Sequence, residues 1–239
     1  MRAASFSRRQ PLREGDRMTA VGETPWVNAP WEHPDWYDIH DATWTAGPER
    51  EPEHYREMVI ALPPLDVGDH LLDAGCGTGK LAALVALGYP KLGRVTLLEP
   101  NALKLERAVA KLRELLPKAR VEGVPGGLAD RAGVTMGPAS VVIVGSVLMP
   151  IMELRGGSLG DGLAWLRAAL ADLVRCVRPG GWLYDLETLA APWARGGPTD
   201  PVRRLTLPEL TDEIACAGLD AVECAYRFRD RVIVKARQS

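Results

Sequence analysis

His70-Leu71-Leu72-Asp73-Ala74-Gly75-Cys76-Gly77-Thr78-Gly79-Lys80 joins a short apolar run to three glycines at alternate positions and then to a helix-forming stretch. Glu99 follows Gly79 by 20 residues, at the end of a second apolar run, Val95 to Glu99. Glycine lets a backbone turn tightly and approach a ligand, and a helix N-terminus offers N–H groups. An acid at the next strand end accepts from paired hydroxyls such as those of a ribose. The pattern predicts a strand, turn and helix that hold a nucleoside cofactor. A nicotinamide site favours a further glycine at the position of Lys80. Here the order is G-x-G-x-G with Asp73 two residues ahead of the first glycine, which asks for no pyrophosphate.

Outward from this segment, strand-like and helix-like periods alternate, as in βαβ units of a parallel sheet. Leu71 to Ala74 reads as the first strand, Lys80 to Leu87 as a helix with Gly88 as its C-cap, and Val95 to Glu99 as the second strand. Asn101 caps a helix whose Leu105, Ala108, Val109, Leu112 and Leu115 share one face, ending at Pro117. Val121 to Val124 and Ser140 to Val144 are strands three and four. Leu163, Leu166, Leu170, Leu173, Val174 and Val177 mark the next helix, stopped by Pro179-Gly180-Gly181 ahead of a strand from Trp182 to Leu186. Pro208 opens a short helix through Ala217 that Gly218 ends. Ala221 to Arg227 and Val232 to Ala236 then form two strands turning at Arg229-Asp230. The expected architecture is α/β: a Rossmann-like, doubly wound, mostly parallel seven-stranded sheet with helices on both faces and an antiparallel C-terminal strand.

The 239 residues suit one large domain with an appendage, and 46% hydrophobic with 25% charged residues excludes a disordered, collagen-like or coiled-coil chain. Residues 1–17 hold five arginines and little apolar content, and are expected to be a mobile basic tail. Residues 18–55 form an acidic, aromatic arm or lid, with Trp26, Trp31, Trp36 and Trp44 set among prolines; residues 56–239 form the core. Between Met18 and Ile60, nine acids stand against Arg50 and Arg56, a balance that repels polyanions, and the net charge of -2 provides no global basic field. These charges argue against a nucleic-acid partner. Cys76, Cys176, Cys216 and Cys224 lie far apart with no C-x-x-C pair, so reduced thiols in a cytoplasm and no metal site are expected. Ser7-Arg8-Arg9-Gln10 lacks the apolar run of an export signal, and glycines and prolines interrupt the uncharged residues 132–152, so no membrane segment is expected.

With these motifs in order, the core resembles the class I S-adenosylmethionine-dependent methyltransferases of small-molecule, bacterial type. Asp73-Ala-Gly75-Cys-Gly77-Thr-Gly79 is similar to the family's first motif, Leu97-Leu-Glu99-Pro100-Asn101 to its second, and Arg178-Pro179-Gly180-Gly181-Trp182-Leu183 to a later one; the likeness runs from about Tyr55 to Ala236. The resemblance implies S-adenosylmethionine as cofactor and S-adenosylhomocysteine as its product. It implies cofactor contacts from Asp73 at the amino end, Gly75, Gly77 and Gly79 along the turn, and Glu99 and Pro100 at the ribose. Ser146 would lie beneath the sulfonium, and Tyr37 of Trp36-Tyr37-Asp38 would close over the methionine moiety. The family often has an adenine-binding Asp after strand three; this chain has Val124-Pro125-Gly126-Gly127-Leu128, so the backbone of Gly127 or Leu128 is the expected substitute, with Asp130 a weaker one.

Methyl transfer from a sulfonium is an in-line displacement in which the protein aligns the partners and excludes water. Val147 to Met152 is apolar and follows strand four, which points to a small, largely apolar or aromatic acceptor, as in secondary metabolism. Gly145-Ser146-Val147-Leu148 stands where an amide N-methyltransferase would carry an Asn-Pro-Pro-Tyr-like motif. The four histidines, His33, His40, His54 and His70, all lie at or before the first strand, so the later loops supply no histidine base. His40 or a carboxylate remains, Glu153 first, then Asp41 and Glu187. Methylation of RNA or protein, or a non-methylating binding protein on the same scaffold, are the alternatives. A monomer or homodimer is expected.

Overall fold

Leu71 and Leu72 are adjacent in sequence and lie in different cores, because successive side chains of a strand point to opposite faces of the sheet. The computed structural model describes residues 51–129, 136–155, 159–189 and 204–239. The tail, the arm as far as residue 50, and with them Tyr37, His40 and Asp41, lie outside the described residues, as does Asp130.

Seven strands form one sheet: β1 (His70–Ala74), β2 (Arg94–Glu99), β3 (Arg120–Pro125), β4 (Ala139–Gly145), β5 (Val177–Thr188), β6 (Asp220–Phe228) and β7 (Arg231–Arg237). Their order is β3-β2-β1-β4-β5-β7-β6. Pairings from β3 through β5 are parallel, and β7 runs antiparallel to both β5 and β6. The order reverses between β1 and β4, which opens a crevice outside their carboxyl ends.

One face carries α1 (Glu51–Ala61), α2 (Lys80–Gly88) and α3 (Ala102–Leu115), whose Met58, Leu81, Val85, Ala108 and Leu112 pack on Leu71, Leu97, Val141 and Ile143. The other carries α4 (Leu148–Arg155), α5 (Leu159–Cys176) and α6 (Leu207–Cys216), with Leu148, Met152, Leu166, Leu170 and Leu210 against Leu72, Leu98, Val142 and Val144. Truncating a fully buried side chain such as Leu112 or Leu166 to Ala costs roughly 2–5 kcal/mol. Asn101 caps α3 as its position suggests, accepting from the N–H groups of Leu103 and Lys104. No described helix is long and apolar enough to cross a membrane.

Three local expectations change. Gly88 is the last residue of α2 rather than its cap, and the Tyr89 N–H closes the end on Val85 O at 2.8 Å. Pro179-Gly180-Gly181 does not separate helix from strand; it lies within β5 as a bulge, where partners jump from Ala139–Val177 to Val141–Trp182 and Gly180 takes a φ of 72°. Residues 148–152 of the apolar stretch expected to meet the acceptor begin α4, and Leu148, Met149 and Met152 face the core rather than a pocket. α1 runs without a break through residues 55 and 56, where arm and core were expected to meet.

Candidate active site

The glycine turn leaves β1 at Asp73 and enters α2 at Lys80, with Gly75, Gly77 and Gly79 all in the left-handed region. Their missing side chains serve different ends. A Cβ on Gly79 would meet the Ala108 Cβ at 2.9 Å, so this glycine lets α2 and α3 approach. A Cβ on Gly75 would meet a Val147 methyl at 2.5 Å, bringing the β4 loop against the turn. At Gly77 a Cβ would meet nothing within 4 Å, so that position borders open space.

The turn spends its own N–H groups on its shape. Gly75 and Cys76 donate to Leu98 O, Gly79 to Cys76 O, and Gly77 to the Glu99 carboxylate at 3.0 Å. The expectation that these amides cradle a ligand is corrected for those four residues. Glu99, 6% exposed, takes Gly77 on Oε2 and the Asn101 N–H on Oε1 at 3.1 Å. These two backbone bonds fix one carboxylate oxygen each and so orient the group.

Asp73 is buried at the end of β1, and its Oδ2 has no hydrogen-bond partner among the described residues. Burial pushes its carboxyl up to about 7, the Ala82 N–H opposes that shift, and the charge of Glu99 adds to it. An orphaned buried carboxyl calls for a donor from outside, and an ammonium group answers it. The pair of acids Asp73 and Glu99 therefore fits S-adenosylmethionine, a nucleoside with an aminoacyl tail. It does not fit a diphosphate.

Across the rim, Pro100 is exposed and Gly126 donates to Glu99 O, which ties the loop after β3 to the end of β2. Gly127 is half-buried, Leu128 packs its side chain into the core, and Ala129, at a φ of 61°, donates its N–H to Asp172 Oδ2 on α5 at 2.9 Å.

Ser146 leaves β4 with a φ of 57°, its N–H on Leu186 O at 2.7 Å. The next two amides, Val147 and Leu148, both donate to Glu187 Oε1, at 2.8 and 2.6 Å. Glu187 is fully buried and pushed up to about 7 by that burial, against the pull of those amides and of Arg204. Asp185, two residues earlier on the same face, is fully buried as well, and neither of its oxygens has a hydrogen-bond partner among the described residues. Burial and the neighbouring Glu187 charge push it well above the usual range. Glu153, on α4, forms a two-pronged ion pair with Arg204, Nε to Oε1 at 2.8 Å and Nη2 to Oε2 at 3.1 Å.

Neither described histidine stands at the end of β4. His70 lies at the amino end of β1, where Nε2 accepts from the Thr96 hydroxyl at 2.8 Å and Nδ1–H donates to Pro138 O at 3.2 Å. His54 is buried against the rings of Tyr226 and Phe228. Sequence reasoning gave Glu187 a minor place and missed Arg231, whose Nη1 donates to Ser146 Oγ at 3.4 Å. A signal for the acids was present: Asp185 and Glu187 are in phase with Leu183, on the face that packs against helices.

No protein-family profile matches the chain. A release factor glutamine methyltransferase of Koribacter versatilis (strain Ellin345) is 37% identical over 76 residues, 31% of this chain and 27% of that protein. Solved structures match more widely at lower identity. The mitomycin 7-O-methyltransferase MmcR superposes with a TM-score of 0.63 at 19% identity, covering 92% of this chain and 62% of that one. The pyocyanin biosynthetic protein PhzM gives 0.61 at 16%, covering 87% and 59%. Human N-acetylserotonin methyltransferase, solved in complex with S-adenosylmethionine, gives 0.56 at 15%, covering 86% and 55%. The chain thus spans about six-tenths of the length of these solved structures and about a quarter of that curated relative. Its sheet order, its glycine turn and these superpositions agree that it has the fold of the class I S-adenosylmethionine-dependent methyltransferases.

Proposed function

We propose that the protein is an S-adenosylmethionine-dependent methyltransferase acting on a small, largely apolar or aromatic acceptor, in the manner of secondary metabolism. The observation that carries this reading is the pairing of Glu99, locked to the Gly77 amide, with the buried and half-satisfied Asp73 across one glycine turn. Bound there, S-adenosylmethionine supplies a methyl group already activated on a sulfonium. Glu99 and Pro100 border the ribose, Asp73 the amino end, Gly75 and Gly77 the stretch between, and Gly127 and Leu128 the adenine. Ser146 stands where the methyl group emerges. Of the arm residues, Tyr37 is assigned to closing over the methionine moiety and His40 is the alternative to Glu153 as base.

Calorimetry with S-adenosylhomocysteine tests the reading. Micromolar or tighter binding is expected, and Glu99→Ala should weaken it about tenfold or more, because charge-assisted bonds to the ribose are lost. Unchanged affinity in that variant would remove the ribose assignment. Glu153 acts as a base in this reading only by surrendering its pair with Arg204. Glu153→Gln then lowers kcat by roughly 10² to 10⁴ and removes the acidic limb of the pH profile. A purely structural pair gives a loss under about tenfold.

The short match to a release factor glutamine methyltransferase favours a second reading, a protein acceptor. Radiolabelled S-adenosylmethionine separates the two: label entering protein supports the second, and label entering only small extractable compounds supports the first.

A further inference from the structure

Arg231 opens β7 level with Thr188 at the carboxyl end of β5, and it is only 9% exposed. Val232 and Val234 face the α4 to α6 core and Ile233 the opposite one, so Arg231 leaves the sheet on the α1 to α3 side. From there it reaches past β5 to Ser146 Oγ at 3.4 Å. A largely buried guanidinium is thereby brought to the first residue beyond β4, beside the switch point where open α/β sheets take their ligands. Ser146 holds a left-handed backbone that costs a residue with a Cβ about 1–2 kcal/mol, a strain kept in place by its amide bond to Leu186 and by Glu187 on the next two amides.

Among the described residues, Glu187, Asp185 and Glu153 are each buried on the other face or paired. Glu187 lies on the α4 to α6 face with Oε1 tied to two amides, Asp185 is one layer deeper on that face, and Glu153 is gripped by Arg204. Asp230 and Arg229 form the turn that precedes Arg231. No histidine follows His70 in the sequence. Arginine keeps its proton at every accessible pH and presents a planar fork of N–H donors suited to oxyanions.

We propose that Arg231 binds the methyl acceptor through an oxygen that it holds as an anion, so that the acceptor is a phenol, an enol or a carboxylic acid presented in its ionised form at the carboxyl ends of β4 and β5. The inference rests on the methyltransferase reading and narrows its substrate. The acceptor releases its proton to solvent on binding. A lone pair of the resulting oxyanion forms the O–CH₃ bond while the S–CH₃ bond breaks and its electrons stay on sulfur. No protein group needs to take up a proton in that step.

The test uses the full chain saturated with S-adenosylhomocysteine and para-nitrophenol as probe, whose visible band reports ionisation of the bound phenol without any turnover. The bound probe should titrate at least about one unit below the free one. Arg231→Gln should abolish that shift and weaken nitrophenolate binding about tenfold or more, while Arg231→Lys keeps part of both and neither variant changes S-adenosylhomocysteine affinity. In the wild type, benzoate should compete with the probe and benzylamine should not. A bound probe that titrates like the free one, Arg231→Gln binding it as the wild type does, or benzylamine outcompeting benzoate would each overturn the proposal. Should Arg231→Gln fail to fold, the probe titration and the benzoate–benzylamine contest on the wild type decide. Failure of the wild type to bind S-adenosylhomocysteine would overturn the reading beneath it instead.

Discussion

At β1 and β2 the polar groups of the crevice come from one short stretch of chain, whereas at β4, β5 and β7 they are gathered from several distant ones. Gly77 and Glu99 are 22 residues apart; Val147 and Glu187 are 40 apart, Glu153 and Arg204 51, and Ser146 and Arg231 85. The first half is a local device in which backbone conformation, set by three glycines, places an acid and an amide. The second exists only once β5 and β7 have paired and β4 has joined them. Its Asp185 and Glu187 are fully buried, and its Glu153 is held at the surface by Arg204. A nucleoside is a fixed shape that a local turn can recognise, and an acceptor varies with the surface that folding assembles.

Substitutions within the turn should separate packing from binding. Gly79→Val places a branched side chain at a φ of 78° and into Ala108, and should cost roughly 2–5 kcal/mol in urea unfolding. A loss under about 1 kcal/mol would show that α2 and α3 can move apart.

The next effect belongs to the second half. Glu187 is raised from 4.5 to about 7, so between those values the folded chain holds a proton that the unfolded chain has released. Its contribution to stability is therefore greatest below about pH 4.5 and declines as pH rises toward 7. Glu187→Gln keeps an oxygen for the Val147 and Leu148 amides but removes the charge. It should flatten the decline and raise stability at pH 8 by roughly 1–3 kcal/mol relative to wild type. Parallel stability curves for the two proteins would refute the buried charge.

Asp73 gives the first half a pH dependence of its own. Its carboxyl, at about 7, must ionise to meet an ammonium group, so cofactor affinity should rise roughly tenfold from pH 6 to pH 8 with proton release into the buffer. Asp73→Asn should remove that dependence. Equal binding heats in buffers of different ionisation enthalpy would sink the assignment. The smallest effect should come from Gly77→Ala, about 1 kcal/mol of stability from its left-handed φ alone, because a Cβ there meets nothing. If it costs as much as Gly79→Val, the space beside Gly77 is not the crevice.

The sequence by itself determined the sheet and the glycine turn. Period-2 runs, the amphipathic stripe of Leu105, Ala108 and Leu112, the Asn101 cap and the glycine spacing are all local, and local patterns survive being read one residue at a time. Only the tertiary structure decided that residues 148–155 coil into a helix, since the Glu187 carboxylate that receives its first amides is 39 and 40 residues away. The same holds for Glu153, whose partner Arg204 is 51 residues away, and for Arg231, which looks in sequence like the polar start of a hairpin strand. Strand pairing joined β5 to β7, bringing Arg231 to Ser146, and no pattern along the chain encodes which distant side chains such a pairing will set against each other.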